Sequence, residues 1–213
     1  MKVLVVGANG KTGKLIVEQL AKSGEHEPYA MIRNPKQEED MKQIGGHPVL
    51  ADLEEDVSSA VQQAEAIIFA AGSGSKTGPD KTISVDQEGA KRVIDSAKAH
   101  GIQHFVMLSS MGTDNPEQGP DSMQHYFRAK AIADEYLQNS ELSYTIVRPG
   151  RLTDDKGNGK IQASHHLNKS GSIPREDVAA VLIASLTKNE TKNKSFEILS
   201  GNEEINDALK FVY

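Results

Sequence analysis

The segment that decides the fold is Lys2-Val-Leu-Val-Val6, followed by Gly7-Ala-Asn-Gly10-Lys-Thr-Gly13. The first five residues include four strand formers, and a helical pattern begins directly after the three glycines. Glycines let the main chain approach a pyrophosphate, and the helix N-terminus offers it free N–H groups and partial positive charge. The segment therefore predicts dinucleotide binding at the end of a buried strand. A tight turn without a ligand, which also favours glycine, is the alternative.

The same segment resembles the phosphate-binding loop of nucleoside triphosphatases. Gly10-Lys11-Thr12 matches the end of that pattern, but the glycine required five residues earlier is Val5. In the second frame, Gly13-Lys14 must be followed by Ser or Thr, and the next residue is Leu15. The triphosphate loop is excluded in both frames.

Composition excludes several classes of function. The chain has 213 residues, a net charge of −6 and no cysteine. Nucleic acid and membranes are therefore not the expected partners, and disulfides or cysteine nucleophiles are excluded. The N-terminal apolar stretch Val3–Val6 is too short for a signal peptide or a membrane span. We expect a cytoplasmic protein, a monomer or homodimer, that acts on a small molecule.

Strand-like and helical segments alternate along the chain. The strand-like runs are Val3–Val6, Tyr29–Ile32, Pro48–Leu50, Ala66–Ala70, Phe105–Leu108, Tyr144–Val147 and Phe196–Leu199. Helical spacing is found over Lys14–Lys22, Glu54–Gln63, Asp80–His100, Ser122–Asn139 and Arg175–Lys188. The pattern predicts an α/β fold, a Rossmann-like doubly wound parallel sheet flanked by helices on both faces. We expect one domain over residues 1–213, with a small substrate-side portion at about 151–213.

Three long loops follow predicted strand ends, on the side where this fold binds ligands. They are Gly72–Pro79, Met111–Asp121 and Thr153–Ile173. Ala70, Ala71 and Gly72 are expected to contact the dinucleotide where the fourth strand ends.

The residues after the second strand bear on the choice between NAD and NADP. An acidic residue there binds the ribose hydroxyls of NAD, whereas arginine accommodates the 2′-phosphate of NADP. The chain offers Arg33-Asn34 at this place and Lys11 in the glycine loop, so NADP(H) is favoured over NAD(H). Asp52-Leu53 follows the third strand, where it can flank an adenine or begin the helix Glu54–Gln63.

One predicted helix carries a polar interruption in its apolar face. Over Asp80–His100, Ile83 and four later residues should face the sheet, and Asp86 interrupts this stripe. Asp86 is interpreted as structural support for the glycine loop.

Tyr126 and Lys130 are the most specific pair of candidate catalytic residues in the sequence. Four residues apart on a helix, they lie on one face. A nearby ammonium group should lower the pKa of a phenol from its usual value of about 10, and a lysine can also bind a ribose hydroxyl. A hydroxyl at the end of the fifth strand should complete the set, and Ser109-Ser110 is there.

These motifs together resemble the atypical single-domain branch of the short-chain dehydrogenase/reductase superfamily, many of whose bacterial members are epimerase/dehydratase-like. The matching segments are Gly7–Gly13, Ala51–Leu53, Val85–Ala90, Phe105–Gly112, Tyr126 with Lys130, Tyr144–Gly150 and Ile173–Ala179.

The resemblance implies specific roles for residues. Tyr126 would be the acid/base, Lys130 would orient the nicotinamide ribose, and Ser110, or failing that Ser109, would position the substrate. The residues expected to contact the cofactor are Gly7, Asn9, Gly10, Lys11, Thr12, Gly13, Arg33, Asn34, Asp52, Leu53, Ala70, Ala71, Gly72, Ser109, Lys130 and Pro149.

The resemblance favours an NADP(H)-dependent oxidoreductase for a small carbonyl or alcohol substrate. The part after Gly150 is short compared with enzymes that bind sugar nucleotides. An epimerase or dehydratase that retains NAD, and a regulator that senses NADP without catalysis, remain alternatives. No metal site is expected, because adjacent His165-His166 point in different directions and no nearby carboxylate has ligand spacing.

Overall fold

The structure, a computed structural model, describes residues 1–72 and 78–212. The strands found there are β1 Lys2–Val6, β2 Glu27–Ile32, β3 His47–Leu50, β4 Ala66–Phe69, β5 His104–Leu108, β6 Tyr144–Pro149, β7 Arg151–Thr153, β8 Lys160–Ser164, β9 Ser172–Pro174, β10 Lys194–Ser200 and β11 Glu203–Glu204. All seven strand-like runs of the sequence are confirmed, as β1–β6 and β10. Most of the loop predicted after β4 lies outside the described residues.

The helices are α1 Lys11–Ser23, α2 Glu38–Gln43, α3 Ser58–Val61, α4 Pro79–Lys81, α5 Ala90–Ala99, α6 Asp121–Gln138, α7 Arg175–Ala184 and α8 Ile205–Ala208. A π-helical segment, Thr82–Gly89, joins α4 to α5. Short 3₁₀ turns occur at Pro35–Gln37, Pro116–Gln118, Asn189–Thr191 and Leu209–Phe211.

The main sheet has the strand order β11-β8-β10-β6-β5-β4-β1-β2-β3. Strands β1–β6 and β10 are parallel, and β8 is antiparallel to β10. Strands β7 and β9 form a separate parallel pair. Because β1 lies between β2 and β4, the chain reverses its direction of travel across the sheet there. This reversal opens a crevice at the C-terminal ends of β1 and β4.

Both faces of the sheet are covered by helices. Alternate residues of β1 face opposite sides, so Val3 and Val5 belong to one core and Leu4 belongs to the other. The first core includes residues of α1 and α7, and the second includes residues of α5 and α6. The predicted Rossmann-like doubly wound architecture is confirmed.

Two local predictions from the sequence are wrong. The predicted loop Thr153–Ile173 contains strand β8. Its sequence shows little strand pattern, because Ile161 is its one fully buried apolar side chain, and its pairing with β10 is what makes it a strand. The predicted helix Glu54–Gln63 is reduced to α3. Asp52 accepts a bond from the Glu54 amide (3.0 Å) and Asp56 from the Ser58 amide (2.9 Å), and such turns compete with a helix.

The π-helical segment also overturns the predicted apolar face. Ile83 was expected to face the sheet, but half of its surface is exposed, while Thr82, Asp86 and Gly89 are buried. A π turn contains one residue more than an α turn, which rotates the preceding side chains relative to α5. Among the helices described, none is long and apolar enough to cross a membrane.

His104, at the start of β5, is a buried group whose titration affects stability. Its Nδ1 lies 2.8 Å from Ser143 Oγ and its Nε2 lies 3.1 Å from Thr145 Oγ1. Burial, assisted by the charge of Lys192, lowers the pKa of His104 to about 4. Between pH 6.5 and 4 the unfolded chain therefore binds more protons than the folded chain, and stability falls as the pH falls.

We expect His104→Asn, which cannot titrate, to remove this dependence. Between pH 7 and pH 4, the free energy of unfolding of the wild type should fall by about 3 kcal/mol more than that of the variant. Urea denaturation across this range measures the difference. A difference between the wild type and His104→Asn that stays constant over this pH range would contradict the account.

Candidate active site

The glycine loop lies directly against the end of β4. Gly7 has a φ of +83°, and a Cβ added to it would lie 2.6 Å from the main chain of Ala71. A Cβ on Gly13 would lie 2.1 Å from the carbonyl oxygen of Gly7. Helix α1 begins after Gly10, and no side chain of the described residues caps it there. Its first N–H groups are thus free to bind an anion, so the loop fits a pyrophosphate.

A cleft of about 380 Å³ occupies the crevice between the ends of β1 and β4. Predicted residues that line it are Gly7, Asn9, Gly10, Arg33, Asp52, Leu53, Ala70, Ala71 and Gly72. Seven further lining residues were not predicted: Val6, Met31, Ile32, Gln37, Ala51, Lys81 and Val85. Apolar walls with a few polar groups and this volume are typical of small-molecule sites.

Other predicted cofactor residues are engaged outside the lining of this cleft. Lys11 forms an exposed ion pair with Asp154, and Arg175 contacts the same carboxylate. Asn34 caps the following 3₁₀ turn by accepting a bond from the Lys36 amide at 3.0 Å. Thr12, like Gly13, is buried in the first turn of α1. The role of these residues toward a cofactor stays a prediction.

Lys130 on α6 reaches the edge of the sheet. Its side chain is buried, and Nζ donates to the carbonyl oxygens of Ala71 (3.3 Å) and Leu108 (3.2 Å). Nζ also lies 3.4 Å from Asp86 Oδ1 and 5.9 Å from the ring centroid of Tyr126. The structure thus brings the predicted Tyr–Lys pair together between the ends of β4 and β5.

Burial and charge act in opposite directions on this pair. Burial raises the pKa of Tyr126, Lys130 opposes this, and Asp86 and Asp134 reinforce it, so the pKa lies above its usual value. The predicted lowering effect of Lys130 on the phenol pKa is present, but desolvation is the larger effect, so the net shift is upward. Burial opposes the charge of Lys130, but Tyr126, Asp86 and Asp134 outweigh it and raise the pKa of the lysine.

The two serines after β5 differ in their surroundings. Ser109 is buried, and its hydroxyl donates to Asp134 Oδ2 at 2.8 Å. Ser110 is partly exposed, and its hydroxyl donates to the carbonyl oxygen of Met111 at 3.0 Å. The main chain beside them is fixed to the end of β6, since the Met111 amide donates to Pro149 O at 3.0 Å.

A buried ion pair next to these serines was not predicted. Asp134 Oδ2 lies 3.1 Å from both Nε and Nη2 of Arg148, whose Nη1 lies 2.5 Å from Asp114. Burial raises the pKa of Asp134, and Arg148 opposes this shift. The signal was present in the sequence, because Tyr126, Lys130 and Asp134 follow one another at intervals of four along one helix face.

The histidine pair lies in an exposed stretch that follows β8. Potential ligand atoms of His166, Asp114 and Glu197 lie within 4.8 Å of one another. Asp114 and Glu197 come from distant parts of the sequence, so the spacing of residues along the chain does not reveal this approach. Asp114 is already paired with Arg148, whose charge opposes a cation there. That the chain has no metal site stays a prediction.

Comparison with protein families identifies the class of protein that this fold and cleft define. Residues 7–189 match the family described as NAD(P)H-binding, so the chain belongs to this NAD(P)-binding Rossmann family. A nicotinamide dinucleotide is therefore its small-molecule ligand, which agrees with the glycine loop and the free N-terminus of α1.

Curated relatives include epimerase-like and reductase proteins. The uncharacterized sugar epimerase YhfK of Bacillus subtilis is 40% identical over 213 residues, covering 99% of each chain. Sanguinarine reductase of Eschscholzia californica is 34% identical over 133 residues, which are 59% of this chain and 49% of that protein.

Solved structures similar to this chain also include an epimerase/dehydratase-like protein and a reductase. A Bacillus halodurans protein, provisionally assigned as an NAD-dependent epimerase/dehydratase, superposes with a TM-score of 0.94 at 46% identity and 99% coverage of both chains. The anaerobillin reductase ChuY of Escherichia coli O157:H7 superposes with a TM-score of 0.80 at 25% identity, covering 96% of this chain and 99% of ChuY. Chains of this shape thus include reductases.

The close approach at Gly13 generates a prediction about the loop. Gly13→Ala should lower the free energy of unfolding by about 1–3 kcal/mol, because the added methyl group overlaps the carbonyl oxygen of Gly7. NADPH affinity should fall with it, since the loop must shift. Urea denaturation and NADPH fluorescence titration measure the two effects.

Gly78→Ala is the matched control, because a Cβ at that position meets open space. It should change the free energy of unfolding by less than about 0.5 kcal/mol. Equal stability of the two variants would show that Gly13 does not approach the carbonyl oxygen of Gly7 as closely as described.

Proposed function

We propose that the protein is an NADP(H)-dependent reductase of the short-chain dehydrogenase/reductase type, acting on a small carbonyl substrate. A bound nicotinamide would supply the hydride. The main observation behind this proposal is the position of Lys130, whose buried ammonium group lies between the ends of β4 and β5 and beside the Tyr126 ring. Doubly wound sheets bind their ligands at this edge, beyond the C-terminal ends of the strands.

Tyr126 is the proposed proton donor. Its pKa is raised by burial, so the phenol is protonated at neutral pH. A protonated phenol suits reduction, in which the nascent alkoxide must receive a proton. Lys130 is proposed to hold a ribose hydroxyl of the cofactor and to stabilise negative charge that develops on Tyr126.

Ser110 is proposed to polarise the substrate carbonyl. Its hydroxyl is partly exposed at the end of β5 and is bonded to a neighbouring main-chain oxygen, from which it can rotate. Ser109 is less suited to this role, because its hydroxyl is buried and bonded to Asp134. Pro149, at the end of β6, is proposed to line the nicotinamide side of the site.

Arg33 is the proposed determinant of NADP preference. It lines the cleft at the end of β2, and its side chain is exposed. An exposed guanidinium group can bind a phosphate with two parallel hydrogen bonds. Lys11 supplies a second cation at the start of α1 if it leaves Asp154.

The small C-terminal part bears on the substrate. Beyond β6, residues 151–212 form β7–β11, α7 and α8, and much of this material belongs to the sheet and its covering helices. Little chain is left to build a lobe around a sugar nucleotide. Sanguinarine reductase and the anaerobillin reductase ChuY are reductases by name, which supports a reduction as the reaction of this chain.

A second candidate function is that of an epimerase or dehydratase that retains its NAD. The descriptions of YhfK and of the Bacillus halodurans protein favour it. Nicotinamide dinucleotide that remains with the protein through purification would support this candidate. A dinucleotide sensor would bind NADPH and consume none with any carbonyl compound tested.

Tyr126→Phe tests the proposed reaction. With a carbonyl compound that the wild type reduces, kcat should fall by a factor of about 10²–10⁴, because the proton donor is lost. The NADPH dissociation constant should change by less than about twofold, since the Phe ring preserves the packing beside Lys130. NADPH absorbance and fluorescence follow the two quantities.

Tyr136→Phe is the control, because Tyr136 lies on the same helix with its hydroxyl bonded to Asp95. It should keep the turnover of the wild type. Unchanged turnover in Tyr126→Phe would remove this residue from the mechanism.

Arg33→Ala tests the cofactor preference. NADPH affinity should fall about tenfold or more, because a charge-assisted hydrogen bond to phosphate is lost, while NADH affinity should change little. Fluorescence titrations at low salt measure both constants, since salt screens an exposed contact. An equal loss for the two cofactors would show that Arg33 does not read the 2′-phosphate.

A further inference from the structure

A buried carboxylate on the π-helical segment contacts the ammonium group of Lys130. Asp86 has no exposed surface, and its Oδ1 lies 3.4 Å from Lys130 Nζ. A Cβ added to Gly72 would lie 3.3 Å from the same oxygen. The carboxylate therefore lies beside Gly72, just beyond the end of β4, where the cleft wall and the lysine meet.

The π-helical geometry explains how Asp86 comes to this position. The extra residue of the π turn rotates Thr82–Gly89 relative to α5, and the rotation buries Asp86 while exposing Ile83. A regular helix with the apolar stripe predicted from the sequence would have Ile83 against the sheet instead. π turns are rare and occur often at functional sites.

The titratable groups that face Lys130 come from two elements. Asp86 lies on the π-helical segment, and Tyr126 and Asp134 lie on α6. Asp134 is bonded to Arg148 and Ser109, so its charge is balanced nearby. Strands β4 and β5 and the residues after them contribute carbonyl oxygens and the Phe69 ring, whose centroid is 5.9 Å from Nζ.

We infer that Asp86 is the positioning residue of this site: it keeps Lys130 charged at the cleft wall and thereby sets the upper pH limit for binding a nicotinamide dinucleotide. The inference rests on the proposed function, in which Lys130 holds the ribose. A buried ammonium group that loses its carboxylate keeps its desolvation penalty and has less negative charge nearby to offset it. It then releases its proton at a lower pH and holds the ribose hydroxyl less well.

The test is a series of NADPH fluorescence titrations between pH 6 and pH 10. The wild type should keep its affinity up to pH 10, because the pKa of Lys130 lies above its usual value. In Asp86→Asn the affinity should fall within this range, by about tenfold at pH 10. Asp86→Glu keeps the charge and should recover most of the wild-type profile. Asp95→Asn, a change on the exposed side of α5, is the matched control and should leave the profile unmoved.

A uniform loss of affinity at every pH in Asp86→Asn would assign Asp86 a structural role and overturn the inference. Lys130→Arg supplies an independent measurement, because arginine does not lose its proton in this range. Asp86→Asn combined with Lys130→Arg should therefore keep its affinity up to pH 10, and a decline there would show that another group titrates. A wild type that binds neither NADPH nor NADH would instead refute the proposed function.

Discussion

The contact on which the site depends is the one between the Lys130 ammonium group and the edge of the sheet. Nζ donates to the carbonyl oxygens of Ala71 and Leu108, which follow or end two neighbouring strands, and it pairs with Asp86. A cation buried this deeply is tolerable only because main-chain dipoles and a carboxylate surround it. The position of α6, and hence of Tyr126, is tied to this contact.

The reversal of the chain across the sheet explains why the lysine and the glycine loop are close. Strands β1 and β4 are neighbours with their C-terminal ends together, so the loop at Gly7 touches Ala71, whose carbonyl oxygen accepts the bond from Lys130. One short segment after β4 therefore connects the glycine loop to Lys130 and Tyr126. A second buried pair, Asp134 with Arg148, fixes α6 to β6 on the far side.

Sequence patterns predict the parts of this structure that local residues determine. The run Lys2–Gly13 carries its own strand, turn and helix start, and the interval between Tyr126 and Lys130 fixes a shared helix face. Strand β8 was missed because its pairing with β10, and not its own sequence pattern, makes it a strand. The orientation of Ile83 was predicted wrongly because the spacing of apolar residues does not reveal a π turn. Desolvation of Tyr126 depends on neighbours that are distant in the sequence, so the direction of its pKa shift could not be predicted from the sequence either.

The central claim is that a nicotinamide dinucleotide binds at the common edge of β1 and β4, with its reactive end toward Lys130. The most direct measurement is an amide NMR titration of the uniformly ¹⁵N-labelled wild type with NADPH. The account predicts that the largest shifts occur at residues 7–13, at Arg33, at residues 52–53 and at residues 71–72. Shifts confined to other surfaces, such as the cluster of His166, Asp114 and Glu197, or no shifts at saturating NADPH, would contradict it.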